Sequence, residues 1–114
     1  MSSADTDRRA GVRLLTTDSP GDVPIVLGQL ITASAVSGAN ILRDMREAIT
    51  NTLGGEMTRY ERLLDQTIER ALDKLADKAR AAGYDGVVGI RLTHPSITDG
   101  AIEVVVAGTG YRRI

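Results

Sequence analysis

The side chains best suited to metal chemistry surround one turn near the end of the sequence. His94 is the only histidine among 114 residues, and Asp99 and Glu103 follow it across a run of turn-forming residues. An imidazole nitrogen and carboxylate oxygens can hold a divalent cation, and carboxylates without thiolates suit Mg²⁺ or Ca²⁺. These three residues are therefore the candidate metal ligands. The alternative is a solvated loop histidine.

The absence of cysteine restricts the kind of metal site that one chain can form. Without thiolates or a second histidine, a soft-metal or tetrahedral zinc site within one subunit is disfavoured. In a ring of identical subunits, each copy could instead contribute one His94 to a shared site. The sequence leaves the identity of any cofactor open, with a divalent metal ion as the candidate.

A second polar group stands at the start of the first predicted helix. Asn40 is a suitable N-cap, because its side-chain oxygen can accept from an exposed backbone N–H, and Asp44 suits the positive end of the helix dipole. Arg43 can bind an anionic ligand or pair with a carboxylate of the next subunit. The N–H groups after Ser37 can likewise hold an anion or form a simple capped turn. Asn40, Arg43 and Asp44 are therefore candidate ligand-binding or interface residues.

No catalytic residues can be assigned from the spacing of side chains. The serines have no evident base partner for a hydrolase triad. Residues 108–110 resemble part of a dinucleotide-binding fingerprint, but no helix follows them, so we expect these glycines to relieve crowding between strands or subunits. The sequence favours a protein without catalytic activity. An enzyme with an interfacial site around Arg43, Asp44 and His94 stays an alternative.

The first half of the chain predicts two strands and a short helix. Residues 12–16 predict a short strand, and a turn cluster follows at residues 18–22. Residues 25–36 are apolar and rich in β-branched side chains, with Gly28 marking a bulge or a close backbone approach. Apolar residues then recur at helical spacing from Ile41 to Leu53, after the N-cap Asn40.

The second half predicts a long helix and a hairpin. An apolar stripe runs through residues 56–82 at steps of three and four, charged residues fill the opposite face, and Gly83 is the expected C-cap. Its interleaved acidic and basic residues predict a solvated, salt-bridged surface. Residues 87–93 and 102–107 predict two strands of an antiparallel hairpin, which residues 108–111 can extend. Arg112 and Arg113 are expected to be solvated.

These elements predict an α+β fold in the order strand-strand-helix-helix-strand-strand. We expect an antiparallel sheet with two helices, the second of them packed on the sheet through its apolar stripe. Residues 1–10 are small, polar and charged and predict a disordered tail, which leaves residues 11–114 as a single domain.

The motifs at the joints of this pattern resemble the YbjQ-like family of small bacterial proteins, which is labelled as heavy-metal-binding and has no certain function. The motifs that carry the resemblance are Gly38-Ala39-Asn40-Ile41 with Arg43-Asp44, then Gly54-Gly55, Tyr60 and Leu64, and finally Gly83, Asp85 and Val87-Val88-Gly89. The resemblance implies a dodecin-like α+β arrangement and a ring-shaped homo-oligomer, a pentamer. It implies no catalytic residues.

Composition excludes several classes of partner. The net charge of −1 and the pI of about 5.8 give no basic excess for nucleic acid, and aromatic residues make up only 3%. No apolar run reaches the length of a membrane helix, and the N-terminus lacks the apolar core of a signal peptide. We therefore expect a cytoplasmic protein whose partner is itself, with neither nucleic acid nor membrane as a partner. An aliphatic core of modest size favours oligomerisation.

Three functions remain open at the level of the sequence. The first is an oligomeric module without catalytic activity that binds a small ligand or metal ion at subunit interfaces or in a central channel. The second is a purely structural or protein-interaction ring. The third is the interfacial enzyme, which the sequence supports least.

Overall fold

The computed structural model describes residues 8–37, 55–94 and 101–114, and only the backbone of residues 55–60. The predicted first helix lies outside these ranges. The elements of the described part are the strands β1 (Arg8–Arg9), β2 (Val12–Leu14), β3 (Ile25–Ser37), β4 (Gly86–Thr93) and β5 (Ile102–Arg113), and the helix α1 (Gly55–Ala81).

The strands form one mixed sheet in the order β1-β2-β4-β5-β3. β2 runs parallel to β4, whereas the other neighbouring strands are antiparallel. The predicted dodecin-like antiparallel sheet with two helices is therefore wrong: the fold is rich in sheet, with five strands and one helix in the described part. The physical reason is that a parallel pair joins strands that are distant in sequence, and its crossover leaves no local turn signal.

α1 covers one face of the sheet with small and aliphatic side chains. Ala71, Leu75 and Ala79 are fully buried against it, and Val104 and Val106 of β5 are fully buried from the sheet side. Alanine lets the helix approach closely, and burial contributes about 25 cal/mol per Å² of apolar surface. This interface is the core of the described part, and it confirms the predicted stripe of the long helix.

The end of α1 is set by a glycine, as predicted. Gly83 has a φ of 84°, which costs a glycine little and other residues much. The N–H of Gly83 donates to the carbonyl of Arg80 (3.0 Å), and that of Tyr84 donates to the carbonyl of Ala79 (3.0 Å). These two bonds form a Schellman motif, which satisfies carbonyls that the last turn would otherwise leave without partners.

The ring of Tyr84 lies over glycines of two strands. A Cβ at Gly28 or Gly110 would collide with this ring. The register of β3 against β5 shifts between Leu27 and Leu30, and the N–H of Gln29 within this bulge donates to the Tyr84 hydroxyl (2.8 Å). The predicted bulge at Gly28 is thereby confirmed. The glycines give the ring its space, and the hydroxyl satisfies a main-chain donor that the bulge removes from the ladder.

Arg112 connects the end of β5 to the end of α1. Its guanidinium lies 4.5 Å from the centroid of the Tyr84 ring and donates to the carbonyls of Ala82 (3.0 Å) and Gly83 (3.2 Å). A cation at this place complements the negative end of the helix dipole. Arg112 is exposed, as predicted, but its side chain also caps the helix.

β1 lies within residues 1–10, for which the sequence predicts a tail. Arg9 of this strand reaches α1, where it pairs with Glu69 (2.5 Å) and Asp73 (2.9 Å). Partial burial alone would lower the pKa of Arg9, but hydrogen bonds to the two carboxylates raise that pKa above its ordinary value. The guanidinium therefore stays charged until strongly alkaline pH. Both carboxylates are well exposed, so we expect the pairs to stabilise the fold only slightly.

Candidate functional site

The predicted site residues divide between described and undescribed parts of the chain. Asn40, Arg43, Asp44 and Asp99 lie outside the described residues. His94 is exposed directly after β4, and its Nδ1 lies 2.5 Å from the main-chain carbonyl oxygen of Glu103 in β5. The contact between these two residues therefore involves the backbone of Glu103 rather than its carboxylate.

This contact selects the tautomer of His94. A carbonyl only accepts hydrogen bonds, so Nδ1 must carry the proton, and in the neutral ring Nε2 then keeps its lone pair. The same arrangement orients metal-binding histidines in many proteins. Each chain can therefore offer one oriented imidazole nitrogen at this end of the sheet.

One such nitrogen does not make a heavy-metal centre. Within the described ranges, no group of three or more His, Cys, Asp or Glu side chains is arranged to hold a metal ion. The sequence also has no cysteine, so thiolate ligands are excluded for the whole chain. The donor set of one described subunit therefore does not fit a heavy metal.

Ser37, which precedes the predicted first helix, has a structural role. Its hydroxyl lies 2.6 Å from the hydroxyl of Thr67 in α1, and Thr67 donates to the carbonyl of Leu63 (2.8 Å). The proton of the short contact therefore comes from Ser37. Both side chains are buried, so the hydrogen bond between them holds the end of β3 against the helix.

The most conspicuous surface of the described part is the first half of β3. The strand lies at the edge of the sheet, with β5 as its one neighbouring strand in the described ranges. Val26, Leu27 and Leu30 are 56%, 60% and 72% exposed. A long edge strand with apolar side chains is a template for pairing with another chain. We call residues 25–30 the open edge of β3.

The second half of β3 is occupied by cations from α1. Lys78 Nζ donates to the carbonyl of Thr32 (2.8 Å), and Lys74 Nζ donates to that of Ser34 (3.0 Å). A guanidinium N–H of Arg70 donates to the carbonyl of Val36 (3.0 Å). We call residues 32–36 the covered edge of β3.

The spacing of helix and strand explains why three successive bonds are possible. Four residues of a helix rise about 6 Å, and two residues of a strand rise about 6.7 Å. Cations at Arg70, Lys74 and Lys78 therefore advance nearly in step with every second carbonyl of β3. Another strand that paired here would have to displace these cations, so the covered edge is protected and the open edge is not.

The covered edge was not predicted, because the interleaved charges of these residues are typical of a solvated, salt-bridged surface. Three cations at intervals of four residues, along the flank of an apolar stripe, are the signal that could have revealed it. That signal becomes meaningful only when a strand of known register lies beside the helix.

Several known proteins are similar to this chain in sequence. Residues 13–112 match a family model, YbjQ_1, with the description "Putative heavy-metal-binding". A UPF0145 protein of Psychrobacter arcticus is 35% identical over 85 residues, which cover 75% of this chain and 54% of that relative. The UPF0145 protein VP1283 of Vibrio parahaemolyticus is 30% identical over 100 residues, which cover 87% of this chain and 95% of the relative. The chain thus spans about half of the first relative and nearly all of the second.

A solved structure shows the same fold. It is a crystal structure of a protein of unknown function from Pediococcus pentosaceus that belongs to the DUF74 family. The likeness has a TM-score of 0.65 at 18% identity and covers 91% of this chain and 99% of that one. In the described ranges, no helix combines the length and the apolar character needed to cross a membrane. The resemblance inferred from the sequence motifs is confirmed, and the chain belongs to the YbjQ-like family of UPF0145 proteins.

Proposed function

We propose that this chain is a binding module without catalytic activity that works as an assembly of identical copies. The observation that carries the proposal is the open edge of β3. Val26, Leu27 and Leu30 are more than half exposed there, beside a strand edge that pairs with no other strand of the described ranges. Pairing through this edge would hide the apolar side chains and satisfy main-chain groups in one step. The pentamer implied by the family resemblance is the size that we propose.

The covered edge supports this proposal because it limits where a copy can dock. Cations of α1 already occupy the outward carbonyls of Thr32, Ser34 and Val36. A partner can therefore approach the open edge without first breaking those bonds. Protection of one half of an edge strand makes a general aggregation surface into a local one.

Self-association is tested by measuring particle mass in solution. Leu30→Lys places a charge in the open edge, and we expect it to convert the assembly to smaller species in light scattering at micromolar concentration. Gln66→Lys is the matched control, since it adds the same charge at an exposed position of α1 that forms no bond to β3 in the described part. A wild-type protein that scatters as a single chain contradicts the proposal.

We propose that the assembled form binds a small ligand or a divalent metal ion. The oriented Nε2 of His94 supports the metal version, since neighbouring copies could each supply one such nitrogen. Titration calorimetry of the assembled protein with Zn²⁺, Cu²⁺ and Ni²⁺ tests it. We expect heat from the wild type, and its loss in His94→Ala at unchanged particle mass.

A structural or protein-interaction ring is the second candidate function. The described residues favour it in one respect, since they contain no group of three metal-binding side chains. Absence of heat with all three metals, together with an intact assembly, would select this candidate over the metal version. If His94→Ala instead dissociates the assembly into smaller species, the histidine belongs to the interface between copies.

A further inference from the structure

In the described ranges, no helix or strand covers the face of the sheet opposite α1. Ile31, Ala33 and Ala35 of β3 are buried under the helix, so the residues between them point to the other side. Directly opposed residues of two strands point the same way, so the register of β3 against β5 gives the other members of this surface. We call it the outer face, and it consists of Leu27, Leu30, Thr32, Ser34, Val36, Val105, Ala107 and Thr109.

The outer face is free of charge where an edge strand normally carries it. The 13 residues of β3 include no Asp, Glu, Lys or Arg, although the strand lies at the edge of the described sheet. Exposed edge strands usually carry charged side chains, Lys above all, which keep other chains away. Leu30 and Val36 are instead 72% and 51% exposed on this face. Such a surface suits contact with another uncharged protein surface.

The outer face and the open edge of β3 are continuous. A lysine of α1 binds the carbonyl of Ser34 from outside the sheet, so by alternation the main-chain groups of Leu30 also point outward. The side chain of Leu30 nevertheless lies on the outer face. Leu27 is opposed by Tyr111, whose neighbour Arg112 reaches the helix, so Leu27 also points away from α1. A copy that approaches the open edge therefore meets the outer face as well.

The open edge alone is too small to hold two copies together. Its residues extend about 20 Å, and at a strand spacing of about 4.8 Å they offer roughly 100 Å². The parts of β3 and β5 that form the outer face offer roughly 400 Å² as a flat projection. Both surfaces together bury roughly 1,000 Å² over two copies, which is the size at which specific interfaces begin. A stable contact between copies therefore needs the outer face.

We propose that the outer face is the main contact surface between copies of this chain, with the open edge of β3 at its margin. This inference rests on the proposed function, because it takes an identical copy as the partner. It adds the surface that supplies most of the buried area. A nucleic acid does not fit this face, since none of its members carries a positive charge to bind phosphate.

Particle mass separates the outer face from the open edge. Ser34→Lys places a charge at an exposed position of the outer face, beyond the open edge, and we expect smaller species in light scattering at micromolar concentration. Ser34→Thr keeps the face uncharged, Gln66→Lys adds the same charge to α1, and both should assemble as the wild type does. Circular dichroism checks that each variant is folded.

The outcomes of this experiment distinguish the inference from the proposed function. If Ser34→Lys keeps the wild-type mass while Leu30→Lys loses it, the open edge alone holds the copies together. The inference is then overturned and the proposed function stands. A wild-type protein that scatters as a single chain overturns both.

A thiol probe tests whether a second copy or the same chain covers the outer face. The sequence has no cysteine, so Ser34→Cys introduces the only thiol. In the assembled protein we expect this thiol to react with Ellman's reagent at least about tenfold more slowly than that of Gln66→Cys, because reaction requires the contact to open. In a Leu30→Lys background, which should dissociate, the two thiols should react at similar rates.

Two results of the thiol experiment would overturn the inference. Equal rates in the assembled protein would show that the outer face stays open to solvent between copies. Slow reaction of Ser34→Cys that persists in single chains would show that another part of the same chain covers the face.

Discussion

Among the described residues, the hydroxyl of Tyr84 is the side-chain group that accepts a hydrogen bond from the bulge in β3. It accepts from the N–H of Gln29 at 2.8 Å in a partly buried position. Tyr84→Phe keeps the ring over its glycines but leaves that N–H without its acceptor. We expect a loss of about 1–2 kcal/mol in the free energy of unfolding, measured by denaturant titration.

Tyr111→Phe is the control for this prediction. Tyr111 is as buried as Tyr84 but faces the opposite side of the sheet, where its hydroxyl forms no hydrogen bond within the described residues. We expect its stability to change by less than about 0.5 kcal/mol, as for substitutions that break no partnered group. Equal losses in the two variants would mean that the bond to Gln29 is not what Tyr84 contributes.

The space under the Tyr84 ring can be tested through a pair of substitutions. A Cβ at Gly110 would lie 2.5 Å from the ring, so Gly110→Ala is expected to cost about 1–3 kcal/mol through overpacking. The same change should cost at least about 1 kcal/mol less in a Tyr84→Leu background, because the two residues are in direct contact. Unfolding titrations of the four proteins complete this cycle. Thr109→Ala, in the same strand but on the opposite face, should be additive with Tyr84→Leu.

Some of these residues could be predicted from the sequence and others could not. Gly28 and Gly83 could be predicted, because a glycine that interrupts a strand or ends a helix has a local backbone reason. Arg112 could not, because its partners are carbonyls at the end of α1, which only the fold brings next to β5.

At the level of elements, α1 packs into the core and also protects part of the edge of β3. Its buried stripe holds it on the sheet, and its flanking cations occupy the outward carbonyls of the covered edge. A purely salt-bridged helix face would have no effect on strand pairing. The observed contacts make the charged flank part of the protection of the sheet.

Removal of these charges should expose the covered edge. Lys74→Met and Lys78→Met keep most of the side-chain length but cannot donate to the carbonyls of Ser34 and Thr32. We expect the double variant to aggregate faster than the wild type in light-scattering and thioflavin assays, with a change in unfolding free energy below about 1 kcal/mol.

The control for this experiment removes a positive charge that lies away from the strand. Arg62→Met alters an exposed residue of α1 that forms no bond to β3. It should aggregate at the rate of the wild type. If Arg62→Met aggregates as fast as the double lysine variant, then lower net charge explains the effect and the covered edge has no protective role.

Local patterns predicted the main elements well, because each has its own period and its own terminators. The helix predicted for residues 56–82 is observed at Gly55–Ala81, and the strand predicted for residues 25–36 at Ile25–Ser37. The parallel pairing of β2 with β4 was missed, since two short strands far apart in sequence share no turn. The sheet order therefore could not be obtained from the sequence, and neither could the edge position of β3.

At the scale of the whole molecule, one part of the described sheet is covered and another part is exposed to solvent. α1 covers one face, and its cations close half of the outer strand. The open edge keeps three large apolar side chains in water, although a single chain of this size has few to spare for its core. In the proposed assembly, a neighbouring copy therefore protects the open edge, just as the cations of α1 protect the covered edge.

If identical copies complete one another in this way, thermal stability must depend on concentration. Each tenfold dilution lowers the free energy that favours the assembled state by about 1.4 kcal/mol for each association step. Tm should therefore fall by several degrees across a hundredfold dilution. Differential scanning fluorimetry over that range provides the measurement. Leu30→Lys, which disrupts the open edge, should have a lower Tm that does not change with concentration. Tm values that coincide at every wild-type concentration would mean that one chain is thermodynamically complete, and that the apolar side chains of β3 serve a different partner.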